Sequence, residues 1–223
     1  PRLAWRCYRE TKRIKPRSLV IWTDGGLNAD LPGDFVNDEA SVDPKTPLPV
    51  VQHEFRWWSS YPDVRTMDRF EHVFGYYEAR CLLPEQPGHW PAFWIFDPLV
   101  GTIGDEGRDG SEIDIMEKAW LEERVNHAIH WDGYGAEHQS LGEQVDFPGL
   151  NEGYHTFGLV WTTDEYIFYI DGVETWRTNA GGVSQVPEYI KLTDEIGTWA
   201  GDIHDAVLPY HFLVDYVRVY DAV

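Results

Sequence analysis

Short apolar and aromatic runs, broken by turn formers, set the pattern of this chain. The runs SLVIW (18–22), FGYYEARCLL (74–83), HWPAFWIF (89–96), EIDIM (112–116), NHAIHW (126–131), HTFGLVWT (155–162), YIFYID (166–171) and FLVDYVRVY (212–220) are rich in β-branched and aromatic residues and predict strands. Gly, Pro, Asn and Asp separate them. Thr163-Asp164-Glu165 predicts one hairpin turn, and Asp171-Gly172 predicts a tight type I′ turn in the next. No segment keeps a 3.6-residue apolar period over about 12 residues, so no long amphipathic helix is expected. Residues 24–50 are polar and rich in Pro and Gly, and predict a long surface loop that either frames a cleft or is a mobile insertion. The pattern implies one all-β domain, residues 1–223, built as a sandwich, a barrel or a jelly roll.

Composition narrows the function classes. The chain holds 223 residues, 43% of them hydrophobic, enough to bury a core without covalent staples. The formal charge of −20 opposes binding to nucleic acid or to an anionic membrane surface, and favours a neutral polymer over a sulfated one. An acidic surface also suits an exported protein, so a secreted, extracellular or periplasmic location is expected. No run of about 18 apolar residues predicts a membrane-spanning helix. There is no signal peptide or initiator Met, so the chain reads as a mature or trimmed form; a monomer is expected. The two cysteines, Cys7 and Cys81, fit either one bridge or two free thiols. With 11 Trp, 12 Tyr and 10 Phe, aromatic residues exceed what packing alone usually needs, and a sugar-binding cleft is one use for the surplus.

The segment GSEIDIME (110–117) carries three carboxylates and a phase problem. In a regular strand Glu112 and Asp114 share a face while Glu117 points to the other. A β-bulge near Ile115-Met116 would return Glu117 to the face of Glu112. The two glutamates would then stand four strand steps apart, about 13 Å along the backbone. Two long side chains leaning inward would close much of that gap, as glycoside hydrolysis by a carboxyl pair requires. Asp114 between them would modulate the charge of Glu112, and mutual repulsion would keep one carboxyl protonated. Ile113, Ile115 and Met116 give the opposite face a place in the core.

These residues carry a resemblance. EIDIME resembles the bulged E-x-D-x-x-E signature of glycoside hydrolase family 16, and HWPAFWIF resembles the tryptophan strand that precedes it in that family's laminarinases. FEHVFGYYEARCLLP, EYIKLTDEIGTWAGDI and FLVDYVRVYD resemble further family segments in family order, over roughly residues 64–221. The opening family strand, which pairs near the C-terminal strand, finds no match within residues 1–17. The resemblance implies a β-jelly-roll sandwich of two antiparallel sheets with a concave substrate cleft. It also implies a retaining endo-β-glycosidase acting on β-1,3-glucan (laminarin) or mixed β-1,3/1,4-glucan. Glu112 takes the nucleophile position, Asp114 the assisting position and Glu117 the acid/base position, and catalysis requires no cofactor. A marine galactan hydrolase of agarose or porphyran type and a non-catalytic β-glucan-binding module are the alternatives.

Strand phase and the resemblance together suggest substrate contacts. Trp90 and Trp94 share a face opposite Phe93 and Ile95, and offer a stacking platform to sugar rings. His130 matches a family histidine beside the catalytic strand, within reach of Asp114 or the sugar, and Trp131 is a further cleft candidate. His127 and His130 point to opposite faces, which argues against a shared metal. Glu195 shares its face with Thr193, and Trp199 follows in phase if the strand continues; these predict a hydrogen-bonding and a stacking group. Asp215 falls in phase with Leu213, Val217 and Val219, and a buried Asp wants a partner. It matches a ligand position of the family's structural Ca²⁺, whose other ligands would come from the N-terminal region.

Overall fold

A computed structural model describes residues 63–196, 198–202, 205–207 and 210–222 together with three N-terminal strands, with side chains within 65–195, 199–202, 205–207 and 210–221. In chain order the strands are β1 Trp5–Glu10, β2 Leu19–Trp22, β3 Val36–Asn37, β4 Asp63–Arg65, β5 Glu71–His72, β6 Gly75–Leu82, β7 His89–Phe96 and β8 Glu112–Glu117. They continue with β9 Arg124–Trp131, β10 Gln139–Asp146, β11 His155–Trp161, β12 Tyr166–Ile170, β13 Val173–Thr178, β14 Glu188–Ile196 and β15 His211–Ala222. Apart from β3, the surface loop expected over residues 24–50 lies outside the described residues. No helix among the described residues is long and apolar enough to cross a membrane.

Among the described residues the strands form two antiparallel sheets. One runs β10-β9-β8-β7-β14-β4-β3, with β5 also on β14; the other runs β1-β15-β6-β11-β12-β13, with β2 also on β15. The core lies between them. Phe93 and Ile95 of β7 and Ile113, Ile115 and Met116 of β8 meet Tyr77 of β6, Phe157, Leu159 and Trp161 of β11, and Phe168 of β12. The Trp161 indole N–H donates to the Ser184 carbonyl at 3.0 Å, so this large ring enters the core with its polar edge satisfied. Asp171 and Gly172 have φ of 49° and 75° between β12 and β13, the two left-handed residues a type I′ hairpin requires. Cys81 is a buried free thiol, and the Cys7 side chain lies outside the described residues.

Strands β1, β3, β4, β5, β10, β13 and β14 lie outside the predicted runs, and four of them show a physical reason. β1 pairs along β15, so an N-terminal strand does meet the C-terminal one. β10 is almost wholly exposed at the sheet edge and has no apolar face to betray it. β13 carries the pattern VETWRT, with a register shift opposite Phe168/Tyr169 that scrambles its alternation. β14 buries Glu188, Lys191, Thr193 and Asp194, which breaks the apolar count on a fully internal strand.

Strand β15 also shifts phase. Val214 pairs with Cys81 and Tyr216 with Arg80, so Asp215 is an extra residue. Phe212 and Val214 face the core before the bulge, and Val217 and Val219 face it afterwards. Asp215 therefore does not share the buried face of Val217 and Val219. It stands half-exposed, and its Oδ2 accepts from Arg80 Nη1 at 2.8 Å. The Arg80 guanidinium takes one edge of this carboxylate. The other Ca²⁺ ligands expected from the N-terminal region lie outside the described residues.

Candidate active site

The bulge that the carboxylate pair requires is present in β8. Across to β9, Asp114 pairs with Ala128 and Glu117 with Asn126, three residues of β8 spanning two of β9. Across to β7, Asp114 faces Trp94 and Met116 faces Phe93, which makes Ile115 the extra residue. Ile115 and Met116 both enter the core at 0% exposure, and the phase slips between Asp114 and Glu117. Glu112, Asp114 and Glu117 consequently line one cleft of about 340 Å³, together with Trp90, His130 and Trp199.

The bulge is fastened from behind. His127 is fully buried on the core side, opposite His130. Its Nδ1 lies 2.7 Å from the carbonyl of Ile115, and its Nε2 lies 3.0 Å from Thr175 Oγ1. A carbonyl only accepts, so Nδ1 carries the proton and the imidazole has a fixed tautomer. Burial pushes the His127 ring down to about 4, against the pull of the Ile115 carbonyl, so the ring is neutral. It stacks against Phe168 and Trp176.

The three carboxyls differ in environment. The carboxyl of Glu117 accepts from Trp90 Nε1 at 3.0 Å and from Asn126 Nδ2 at 2.7 Å. Burial first, then the nearby Asp114 charge, pushes Glu117 well above the ordinary carboxyl range, outweighing both donors and His130. Asp114 is also raised, by burial first, then by Glu112 and Glu195, with Lys191 opposing. Glu112, at the open end, accepts from the Tyr134 hydroxyl at 2.5 Å. His130 Nε2 lies 3.3 Å from Asp114 Oδ2 and 4.0 Å from Glu112 Oε1, while its Nδ1 lies 3.0 Å from His138 Nε2. Asp114 and Glu117 are thus both pushed upward beside the more open Glu112, and a buried acid beside an open carboxyl is the asymmetry that double displacement uses.

The other expected contacts divide. Trp90 and Trp199 line the cleft, edge to face with centroids 4.5 Å apart, and Trp120 joins Trp199 at 5.1 Å. Trp199 arrives on a 3-10 turn, Thr198–Ala200, rather than by continuation of β14. Trp94 lies on the cleft face of β7, but Lys191 Nζ sits 3.9 Å over its ring and its indole N–H donates to Thr193, so it is a covered ring and not an open platform. Glu195 pairs opposite Trp90 and acts electrostatically on Asp114. Trp131 packs onto the core and against the backbone of Gly181, outside the cleft. Asn126, Trp120, Tyr134 and His138 were not expected. Asn126 shares the strand phase of Ala128 and His130, which could have revealed it; Tyr134 and His138 sit in or beside a loop with no period to read. Glu112, Asp114 and His130 form the only trio of ligating side chains gathered tightly enough to hold a cation among the described residues.

The family model of glycosyl hydrolases family 16 matches residues 38–218, and the chain belongs to that family. Its two-sheet sandwich is accordingly the family's jelly roll. The endo-beta-1,3-glucanase of Pyrococcus furiosus superimposes with a TM-score of 0.59 at 31% identity, over 73% of this chain and 66% of that one. The laminarinase catalytic domain of Thermotoga maritima MSB8 gives 0.59 at 28% identity, over 73% and 69%. The keratan-sulfate endo-1,4-beta-galactosidase of Sphingobacterium multivorum is 29% identical over 165 residues, 70% of this chain. This chain spans only 39% of the length of that relative.

Proposed function

We propose that this protein is a retaining endo-β-glucanase that cleaves β-1,3 bonds of laminarin-type or mixed β-1,3/1,4-glucan by double displacement. The observation that carries the reading is the Ile115 bulge, which sets Glu112 and Glu117 on one cleft face with Asp114 between them. Glu112 attacks the anomeric carbon while Glu117, kept protonated by burial and by Asp114, gives its proton to the leaving oxygen. Glu117 then takes a proton from the water that releases the sugar. Trp90 and Trp199 offer ring faces and edges to the sugar. The glucanase neighbours named above support β-1,3-glucan as the substrate. A polymer cannot cross a membrane, which supports action outside the cell or in the periplasm.

The test is release of reducing ends from laminarin, lichenan and agarose, with the anomer of the first product followed by NMR. Cleavage of laminarin or lichenan with retention is expected. Activity on agarose alone would transfer the reading to a galactan hydrolase. Inactivity on all three, or inversion, would refute it.

A further inference from the structure

The turn between β9 and β10 brings a phenol to the nucleophile position. Asp132 and Gly133 have φ of 57° and 73°, so the chain reverses sharply after β9. Gly133 N donates to the Val100 carbonyl at 2.6 Å, and the Asp132 side chain accepts from Gly104 N at 3.0 Å. These two bonds pin the turn to the loop that follows β7. The next residue, Tyr134, is 57% exposed, yet its hydroxyl reaches back and donates to Glu112 Oε2 at 2.5 Å. Its ring leans on His138, which in turn contacts His130. Burial of the hydroxyl end and then the Glu112 charge push this phenol well above its ordinary range, so it remains a donor. Bulge, strand phase and the roles of Glu112 and Glu117 leave this contact unused.

We propose that Tyr134 is a catalytic residue of the second half-reaction, donating a hydrogen bond to Glu112 as it leaves the glycosyl-enzyme. This inference rests on the double displacement proposed above. With Oε2 held by Tyr134, Oε1 is the attacking oxygen. In the first step Oε1 bonds the anomeric carbon, the bond to the leaving oxygen breaks, and that oxygen takes the Glu117 proton. The negative charge of Glu112 is then consumed, and a hydrogen bond to it weakens. In the second step water attacks the anomeric carbon and gives its proton to Glu117. The bond from carbon to Oε1 breaks, and its electron pair returns to the Glu112 carboxyl. Charge reappears on that carboxyl, and the Tyr134 bond strengthens as it does. A group that stabilises the carboxylate thus speeds its departure and does nothing to speed its attack.

Tyr134→Phe removes only this hydroxyl from an exposed ring and should leave the melting temperature unchanged. The probe is 2,4-dinitrophenyl β-laminaribioside, whose leaving group needs no acid. Rapid-mixing kinetics should show the burst of dinitrophenolate at or above the wild-type rate, followed by a steady state slowed about ten- to a hundredfold. Mass spectrometry of the quenched reaction should show more sugar bound on Glu112 than in the wild type. Burst and steady state unchanged, or slowed in equal proportion, would overturn the role of Tyr134 while leaving double displacement intact. A wild type that forms no covalent sugar on Glu112 would overturn both.

Discussion

Strands β8 and β15 each carry one extra residue, and the two bulges treat their acids in opposite ways. In β8 the extra residue is Ile115, and the adjacent apolar pair Ile115-Met116 enters the core. The acids on either side of that pair both end in the cleft. In β15 the extra residue is Asp215 itself, and the adjacent polar pair Asp215-Tyr216 stays half-exposed while the valines beyond it return to the core. One bulge converts an alternation error into a pair of carboxyls on one cleft face; the other turns a carboxyl outward to Arg80. The anchors differ accordingly. The β8 bulge is held by a buried neutral imidazole on the Ile115 carbonyl, whereas the β15 bulge is marked by an ion pair open to water, worth little.

The sharpest way to break this comparison is to neutralise the acid that each bulge directs. Glu117→Gln should lower kcat on laminarin by about a hundred- to ten-thousandfold, the range of a lost general acid. The same variant should retain the first step on the dinitrophenyl glycoside, where no acid is needed. A first step on the dinitrophenyl glycoside slowed as much as kcat on laminarin would show that Glu117 is not the proton donor.

Next comes the anchor. His127→Phe keeps an aromatic ring against Phe168 and Trp176 but leaves the Ile115 carbonyl without its donor. A stability loss of about 1–3 kcal/mol is expected in denaturant titration. On the order of a tenfold fall in kcat should accompany it, because the bulge sets the phase of Glu117. If the stability falls and the rate does not, the bulge holds its shape without His127.

A smaller effect concerns the entry to β8. Buried Glu188 accepts from Ser111 N and Oγ, one residue before Glu112. Burial pushes its carboxyl up to about 8, although Ser184 and Ser111 pull it down. The folded state therefore holds a proton that the unfolded chain releases near 4.5, and stability falls as pH rises from about 4.5 to about 8. Glu188→Gln should match the wild type in unfolding free energy near pH 4 and exceed it near pH 8, by a few kcal/mol at most, with a higher melting temperature there. Parallel melting curves across that range would remove Glu188 as the source.

The smallest effect belongs to β15. Asp215→Asn should change stability by less than about 0.5 kcal/mol and leave kcat on laminarin unaltered, since the Arg80 pair is exposed and far from the chemistry in sequence and sheet. A loss of activity would mean that the outward bulge also shapes the cleft.

The comparison also explains what the sequence made legible. In EIDIME the doubled apolar pair stands between acids of the same eventual face, so a bulge is the reading that buries both apolar side chains. In FLVDYVRVY the doubled pair is Asp215-Tyr216, and tyrosine passes for an apolar residue, so the alternation looks unbroken and Asp215 falls on the wrong face. Tryptophan phase on β7 was legible because Phe93 and Ile95 alternate cleanly with Trp90 and Trp94; the Lys191 that covers Trp94 comes from β14 and could not be read from β7. Tyr134 was illegible because its role depends on a turn pinned to a distant loop, and only the fold brings that loop alongside.

The contact between Trp90 and Glu117 also gives the cleft an optical handle. An indole N–H at 3.0 Å from a titrating carboxyl feels the full change of charge when the proton leaves. Indole emission responds to such a charge, so the protonation of the acid can be watched in the resting protein. With 11 tryptophans in the chain, the signal is the difference in emission between wild type and Trp90→Phe as pH is varied. The residue that hydrogen-bonds Glu117 thereby reports, without any substrate, whether its proton is there.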